Sequence, residues 1–182
     1  NIDSPELAWF NTTLLSGNTV WQWTVNITFT ESVRYMINSR SIDKAGNISP
    51  VYSTSTVKWD TVSPLSAVRY PEHNKYYYGL STISGTARDE SPNPLPPSGV
   101  ADVRIAIRRN SDMNYWVSPL AGFASSDLIF HLASLVGDEW YFTQITTAAL
   151  TTNTSYFIQV RARDYAGNIQ ILLGQSTFFC DQ

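Results

Sequence analysis

The chain has one cysteine, Cys180, and two histidines, His73 and His131. A lone cysteine excludes an internal disulfide and a cysteine-based metal cluster within the chain. In the apolar stretch "STFFC" it reads as a buried structural thiol. The histidines form neither a His-x-x-x-His nor a His-Glu-x-x-His spacing, so each reads as a surface histidine and not a zinc ligand. A Gly-x-Ser-x-Gly elbow and a phosphate-binding loop are also missing. The expectation is a protein without catalytic residues. Charge is scarce too, at 15% of residues with a net charge of -3. That balance excludes a strongly basic nucleic-acid binder on electrostatic grounds. No apolar run approaches the roughly 18 residues of a membrane span.

What the chain does have is apolar and aromatic material. Over 182 residues, 43% are hydrophobic and 13% aromatic, enough for a real core in one or two small domains. "ADVRIAIRR" alternates, with Val103, Ile105 and Ile107 on one face. "YFIQVRARD" alternates likewise, with Tyr156, Ile158, Val160 and Ala162 on one face. Period-two patterning of this kind predicts half-buried strands. "LSTISGTA", "WYFTQI" and "STFFC" read as further short strands. No stretch carries a convincing helical period, and turn signals are dense in "SPNPLPPSG", "RNSD", "TTNTS" and "AGN". Many short strands with loops between them predict an antiparallel sandwich or barrel. Low charge, abundant Ser, Thr and Asn, and many aromatics lean toward an exported β protein.

A repeat organises the chain. Asp43 and Asp164 lie 121 positions apart, and at the same offset Tyr35 falls on Tyr156, Gly46-Asn47-Ile48 on Gly167-Asn168-Ile169, and Asp60 on Asp181. With a two-residue slip, Trp21-x-Trp23 matches Trp140-x-Phe142, and "SPELAWF" reads against "SSDLIFH". The chain is therefore read as one and a half copies of a module of about 120 residues. Residues 61–182 make the whole copy and residues 1–60 the later half of another.

Tyr156 opens a strand six residues after Leu150, as Tyr35 does after Phe29. That is the tyrosine-corner spacing of immunoglobulin-like sandwiches, in which the hydroxyl bonds backbone a few residues upstream. The stretch "LTTNTSYFIQVRARDYAGNIQ" resembles the later strands of fibronectin type III-like and bacterial immunoglobulin-like repeats. "ISGTARDESPNPLPPSGVADVRIAI" is similar to their Ser-Gly-Thr-Ala-x-Asp … Gly-Val segment, and "WDTVSP" to their joint between modules. The resemblance implies an all-β fold: tandem immunoglobulin-like antiparallel β-sandwiches, the N-terminal one incomplete. It is specific for fold and not for function. It implies an extracellular or cell-surface spacer, stalk or adhesive segment, whose partners are neighbouring modules of the same or another copy. A surface glycan or protein is a further candidate partner. One departure is that Ser39 and Ser41 stand where the second copy has Val160 and Ala162.

A half-sandwich leaves an apolar face and an open edge in water. The natural chain is therefore expected to extend upstream of Asn1, the alternative being strands donated by another subunit. The other reading of function is a carbohydrate-binding accessory module.

Candidate site residues follow from this frame. Asp43 and Asp164, with Gly46 and Gly167, read as turn formers, since Gly supplies positive φ and Asp bonds nearby backbone. Asp164 has a second reading. In the proposed topology Asp60, Asp89 and Glu90 arrive at the same pole, where four carboxylates would suit calcium, which takes 6–8 oxygen ligands. No other cofactor is expected. Trp116, Trp140 and Tyr141 read either as core or as an exposed platform for sugars. Asn11, Asn26, Asn47 and Asn153 open Asn-x-Ser/Thr sequons and are candidate glycosylation sites.

Overall fold

The computed structural model describes residues 9–15, 20–24, 27–92 and 96–182. Asn26 lies outside them. The chain forms two compact units, Asn1–Trp59 and Asp60–Gln182. The described residues contain strands and one short 3-10 turn, Thr147–Ala149, and no α-helix. Among them no helix is long and apolar enough to cross a membrane.

Among the described residues of the first unit there are two hairpins. β1 (Thr13–Leu14) pairs with β2 (Trp21–Gln22), and β3 (Arg34–Ser39) with β4 (Ser53–Lys58).

The second unit is two sheets around one core. The first sheet runs β12 (Ser134–Val136), β13 (Glu139–Phe142), β7 (Ile83–Arg88), β5 (Leu65–Tyr70). The second runs β10 (Gly122–Ser125), β9 (Tyr115–Ser118), β8 (Val100–Arg109), β14 (Thr154–Asp164), β15 (Gly174–Cys180), β6 (Lys75–Tyr77). β11 (His131–Leu132) pairs with β8 beside this path. The chain crosses from the first sheet to the second between β5 and β6, so its early strands contribute to both.

Alternation builds this core as the sequence predicts. Val103, Ile105 and Ile107 of β8 and Tyr156, Ile158, Val160 and Ala162 of β14 are all 0% exposed. From the opposite sheet Ile83, Ala87, Trp140 and Phe142 pack against them. Burying such a row supplies on the order of 1.5–3 kcal/mol for each large side chain. Two glycines permit close approach: a Cβ on Gly174 of β15 would stand 2.4 Å from the Ser66 carbonyl oxygen of the opposite sheet, and Gly85 of β7 is crowded by neighbours in its own sheet. A Cβ on Gly85 would stand 1.9 Å from the Ala67 carbonyl oxygen and 2.6 Å from the Trp140 ring.

Several features of the two units coincide at an offset of 121 positions. Shifting the β3–β4 register by 121 positions reproduces the β14–β15 register: Arg34↔Lys58 becomes Ser155↔Phe179, and Tyr35↔Val57 becomes Tyr156↔Phe178. Thr30 N donates to the Tyr35 hydroxyl oxygen at 2.6 Å, and Thr151 N to that of Tyr156 at 2.8 Å. Ser32 and Asn153, also 121 apart, share left-handed φ values of 56° and 55°. The Arg40 guanidinium lies 4.3 Å over the Trp9 ring, and that of Arg161 lies 4.1 Å over Phe130. Leu14 pairs with Trp21 as Leu135 pairs with Trp140. The two-residue slip in the sequence is thus absorbed between the paired strands, where a longer loop costs little.

Candidate functional site

β14 carries an inward row at alternate positions, and Asp164 is its last member. A bulge between Arg163 and Asp164 ends the regular pairing with β8. The aspartate is 2% exposed, at one pole of the sandwich. Its carboxylate closes the following turn: Oδ1 accepts from Asn168 N at 2.7 Å and Oδ2 from Asn168 Nδ2 at 2.8 Å. Gly167 takes the left-handed φ of 97° that this turn requires. Asp43 does the same with Asn47 at 2.8 Å for both bonds, and Gly46 has φ 88°. Both aspartates are turn formers.

Their surroundings differ. Asp43 is exposed, and its hydrogen bonds from Asn47 hold its carboxyl below the ordinary value of 3.8. Asp164 meets two more carboxylates. Asp89 follows the last residue of β7, and Asp60 precedes β5. One oxygen from each of Asp60, Asp89 and Asp164 lies within 4.8 Å of the others. The loop entering β8 serves two of them. Ser98 N donates to Asp60 Oδ2 at 2.7 Å, and Gly99 N to Asp89 Oδ2 at 2.8 Å. Gly99 has φ 90°, which turns its N–H toward Asp89. Asn168 Nδ2 also reaches the carbonyls of Asp60 and Val62, at 3.1 and 3.3 Å.

One atom in this cluster is unsatisfied. Asp89 Oδ1 is buried and has no hydrogen-bond partner. A buried carboxylate oxygen without a donor is costly, and two further carboxylates within a few ångströms raise that cost. Burial raises the Asp89 carboxyl above 3.8, and the charges of Asp60 and Asp164 add to the rise against the lowering bonds from Gly99 and Ser98. A proton or a cation would each answer this need. A hard divalent cation suits an all-oxygen donor set, with further ligands from carbonyls or water.

Two expectations are corrected. Glu90 is not in the cluster. Its side chain turns outward and pairs with Arg88 at 2.9 Å, both of them exposed. The sugar platform is not formed either. Trp116 and Trp140 are each 0% exposed, and the Trp140 indole donates to the Thr86 carbonyl. The alternation of β13 sends Trp140 inward and leaves Tyr141 half-buried, with its hydroxyl bonded to Glu139.

Of the sequons, Asn11, Asn47 and Asn153 are exposed. Cys180 is buried. His131 bonds the Trp116 carbonyl through a ring nitrogen at 2.9 Å, and His73 Nδ1 accepts from Thr177 N at 3.0 Å. The histidines are thus engaged with backbone. A shallow depression lined by Asp102, Arg104, Arg161 and Arg163 has its carboxylate paired to Arg104 and Arg163.

Sequence reasoning missed Ser98, Gly99 and Gln170. Gln170 is buried, and its amide uses every bonding direction. Oε1 accepts from Ser66 Oγ and Ala162 N, and Nε2 donates to the carbonyls of Ser66 and Leu172. It ties β5 to the turn after β14. A polar residue just after the turn was the available signal, but its partner Ser66 lies 104 positions away.

No family model matches the chain, and no curated protein matches it. Among solved structures, CopC from Methylosinus trichosporium OB3b is similar at 14% identity, covering 64% of this chain and 94% of that chain, with a TM-score of 0.40.

Proposed function

We propose that the chain is a non-catalytic structural segment of an extracellular repeat protein, an immunoglobulin-like module at 60–182 preceded by the later half of another. The observation that carries this is the coincidence at 121 positions of strand register, tyrosine corner, turn chemistry and ring–guanidinium contact. Independent convergence on all four in unrelated segments has no physical cause, whereas a repeated module requires them. The sheet orders β12-β13-β7-β5 and β10-β9-β8-β14-β15 match the A-B-E-D and C-F-G arrangement with added strands on the second sheet. That match supports the immunoglobulin-like reading.

The strand directions favour a mechanical role. β6, near the start of the module, runs parallel to β15 at its end, with Phe178 opposite Lys75. Pulling the module by its ends loads those hydrogen bonds in shear, so several must break together. Single-molecule pulling of the full chain tests this. Unit 2 is expected to unfold in one step, lengthening the chain by about 400 Å from the reach of roughly 120 extended residues. Gradual yielding without a distinct peak would reject a load-bearing spacer.

A second element of the proposal concerns the three aspartates, and the buried orphan oxygen of Asp89 favours it. Calcium there would join the entering segment, the loop before β8 and the turn after β14. Binding to the folded state alone stabilises by about 2.7 kcal/mol at a hundredfold excess over Kd. The measurement is a melting curve in Ca²⁺ against EDTA. A rise that Asp164→Ala removes supports the site, and identical curves for the wild type reject it.

A further inference from the structure

The outer face of the second sheet in unit 2 carries a charge pattern that the core does not require. Alternation that buries Val103, Ile105 and Ile107 turns Asp102, Arg104 and Arg108 of β8 outward, and it turns Arg161 and Arg163 of β14 the same way. Four of the eight basic residues of 60–182 thus share one face, in a unit with eleven acidic residues. Arg104 lies directly opposite Arg161, and like charges so placed destabilise a sheet. One carboxylate, Asp102, serves both Arg104 and Arg163. Arg108 and Arg161 pair with no carboxylate among the described residues. They lie over rings instead, the Arg108 guanidinium 5.1 Å from the centre of Phe157 and that of Arg161 4.1 Å from Phe130. A ring holds a guanidinium without neutralising it. Arg108 Nε also has no acceptor, so the face is short of both negative charge and hydrogen-bond acceptors. It continues across β15 to β6. There Phe179 lies between Ser155 and Tyr76, and it stacks on Tyr76 with ring centres 4.9 Å apart. Tyr76 is 70% exposed.

We infer that this face is a binding surface for an acidic polysaccharide, one bearing carboxylate or sulfate groups on its sugars. Charge complementarity carries the inference: four guanidinium groups against one carboxylate, in a unit that is acidic elsewhere, select an anion. Guanidinium forks bind planar and tetrahedral oxyanions through paired N–H donors. The exposed Tyr76 ring adds a surface on which the C–H face of a sugar packs, which an acidic peptide would not need. Arg163 and the Tyr76 row lie at opposite ends of the face, separated by about 25 Å along β14 at roughly 3.3 Å per residue. A polymer reaches both ends, whereas a single sugar acid reaches one. The surface is thus an addition to the spacer reading and does not depend on it.

The test titrates the full 182-residue chain with polygalacturonate and with dextran sulfate, using neutral dextran and polyglutamate for comparison. Saturable binding of at least one acidic glycan is expected, with none of dextran, and it should weaken in about 0.5 M NaCl as the charges are screened. The double variant Arg104→Gln, Arg163→Gln is expected to weaken binding about tenfold or more. Tyr76→Ala is expected to weaken it about threefold or more. Urea midpoints of both variants should stay near that of the wild type, because the side chains removed are exposed and exposed ion pairs contribute little. Binding of neither acidic glycan overturns the inference, as does wild-type affinity in the arginine double variant. Polyglutamate bound as tightly as the glycans, with Tyr76→Ala without effect, also overturns it and makes the face a surface for an acidic peptide. The pulling experiment reads the cohesion of unit 2 and the titration its exterior, so the spacer reading and this surface fail separately.

Discussion

Asp89 shows how position sets the behaviour of one carboxyl group. Its folded-state value is raised above 3.8, chiefly by burial and then by Asp60 and Asp164. The folded state thus holds its proton more tightly than the unfolded chain. That contribution to stability is fully present below about pH 4 and lost as pH rises through the folded value. Asp89→Asn keeps an oxygen for Gly99 N and turns an amide toward the acidic neighbours. In EDTA at neutral pH the variant is expected to be more stable than the wild type, with the gap closing below about pH 4. Urea midpoints across pH measure this. A variant less stable at neutral pH would show that the charge on Asp89 is not a burden. Tyr156 tests the corner. Tyr156→Phe leaves Thr151 N without its acceptor and is expected to cost about 1–2 kcal/mol in urea unfolding.

At the scale of elements, two glycines separate steric from conformational demand. Gly85 sits in β7, where a Cβ would collide with the Ala67 carbonyl and the Trp140 ring. Gly167 sits in the turn after β14 with open space around it and φ 97°. Gly85→Ala is expected to lose about 1–3 kcal/mol or more by overpacking, and Gly167→Ala about 1–2 kcal/mol from left-handed backbone strain. Denaturation curves measure both, and a variant of unchanged stability at either position would contradict the account. Trp140 belongs at this scale too, since it closes the space between β7 and β13. Trp140→Ala is expected to cost about 3–5 kcal/mol as a core truncation. A variant of unchanged stability would restore Trp140 as a surface residue.

For the whole molecule the contrast lies between the two units. Unit 2 has a single continuous core drawn from both sheets. Residues 60–182 expressed alone are expected to unfold in one cooperative transition, with tryptophan fluorescence and far-ultraviolet circular dichroism changing together. Separate transitions by the two probes would show that unit 2 is not a self-contained module. Among its described residues unit 1 has two separate hairpins, and hairpins of that size are marginal by themselves. Its strands β3 and β4 pair with the register of β14 and β15, and among the described residues no strand pairs with the other edge of β3.

Alternation in β8 and β14 was legible in the sequence because a period of two assigns each residue to a face without knowledge of its neighbours. The corner tyrosines and the Asp-Asn turns were legible for a similar reason. Their hydrogen bonds span four or five positions and are written locally. The sequence by itself determined the alternation of β8 and β14, the corner tyrosines and the Asp-Asn turns. It placed Asp60, Asp89 and Asp164 at one pole only through an assumed topology. It could not tell Trp140 as core from Trp140 as platform, because both faces of β13 carry aromatics and only the opposite sheet shows which is covered. Glu90 was misplaced because adjacent residues on an extended chain point to opposite sides, and the end of β7 decides which one turns inward. The tertiary structure alone decided which polar groups meet across long separations, such as Gln170 with Ser66, and which buried oxygen at Asp89 is left without a donor.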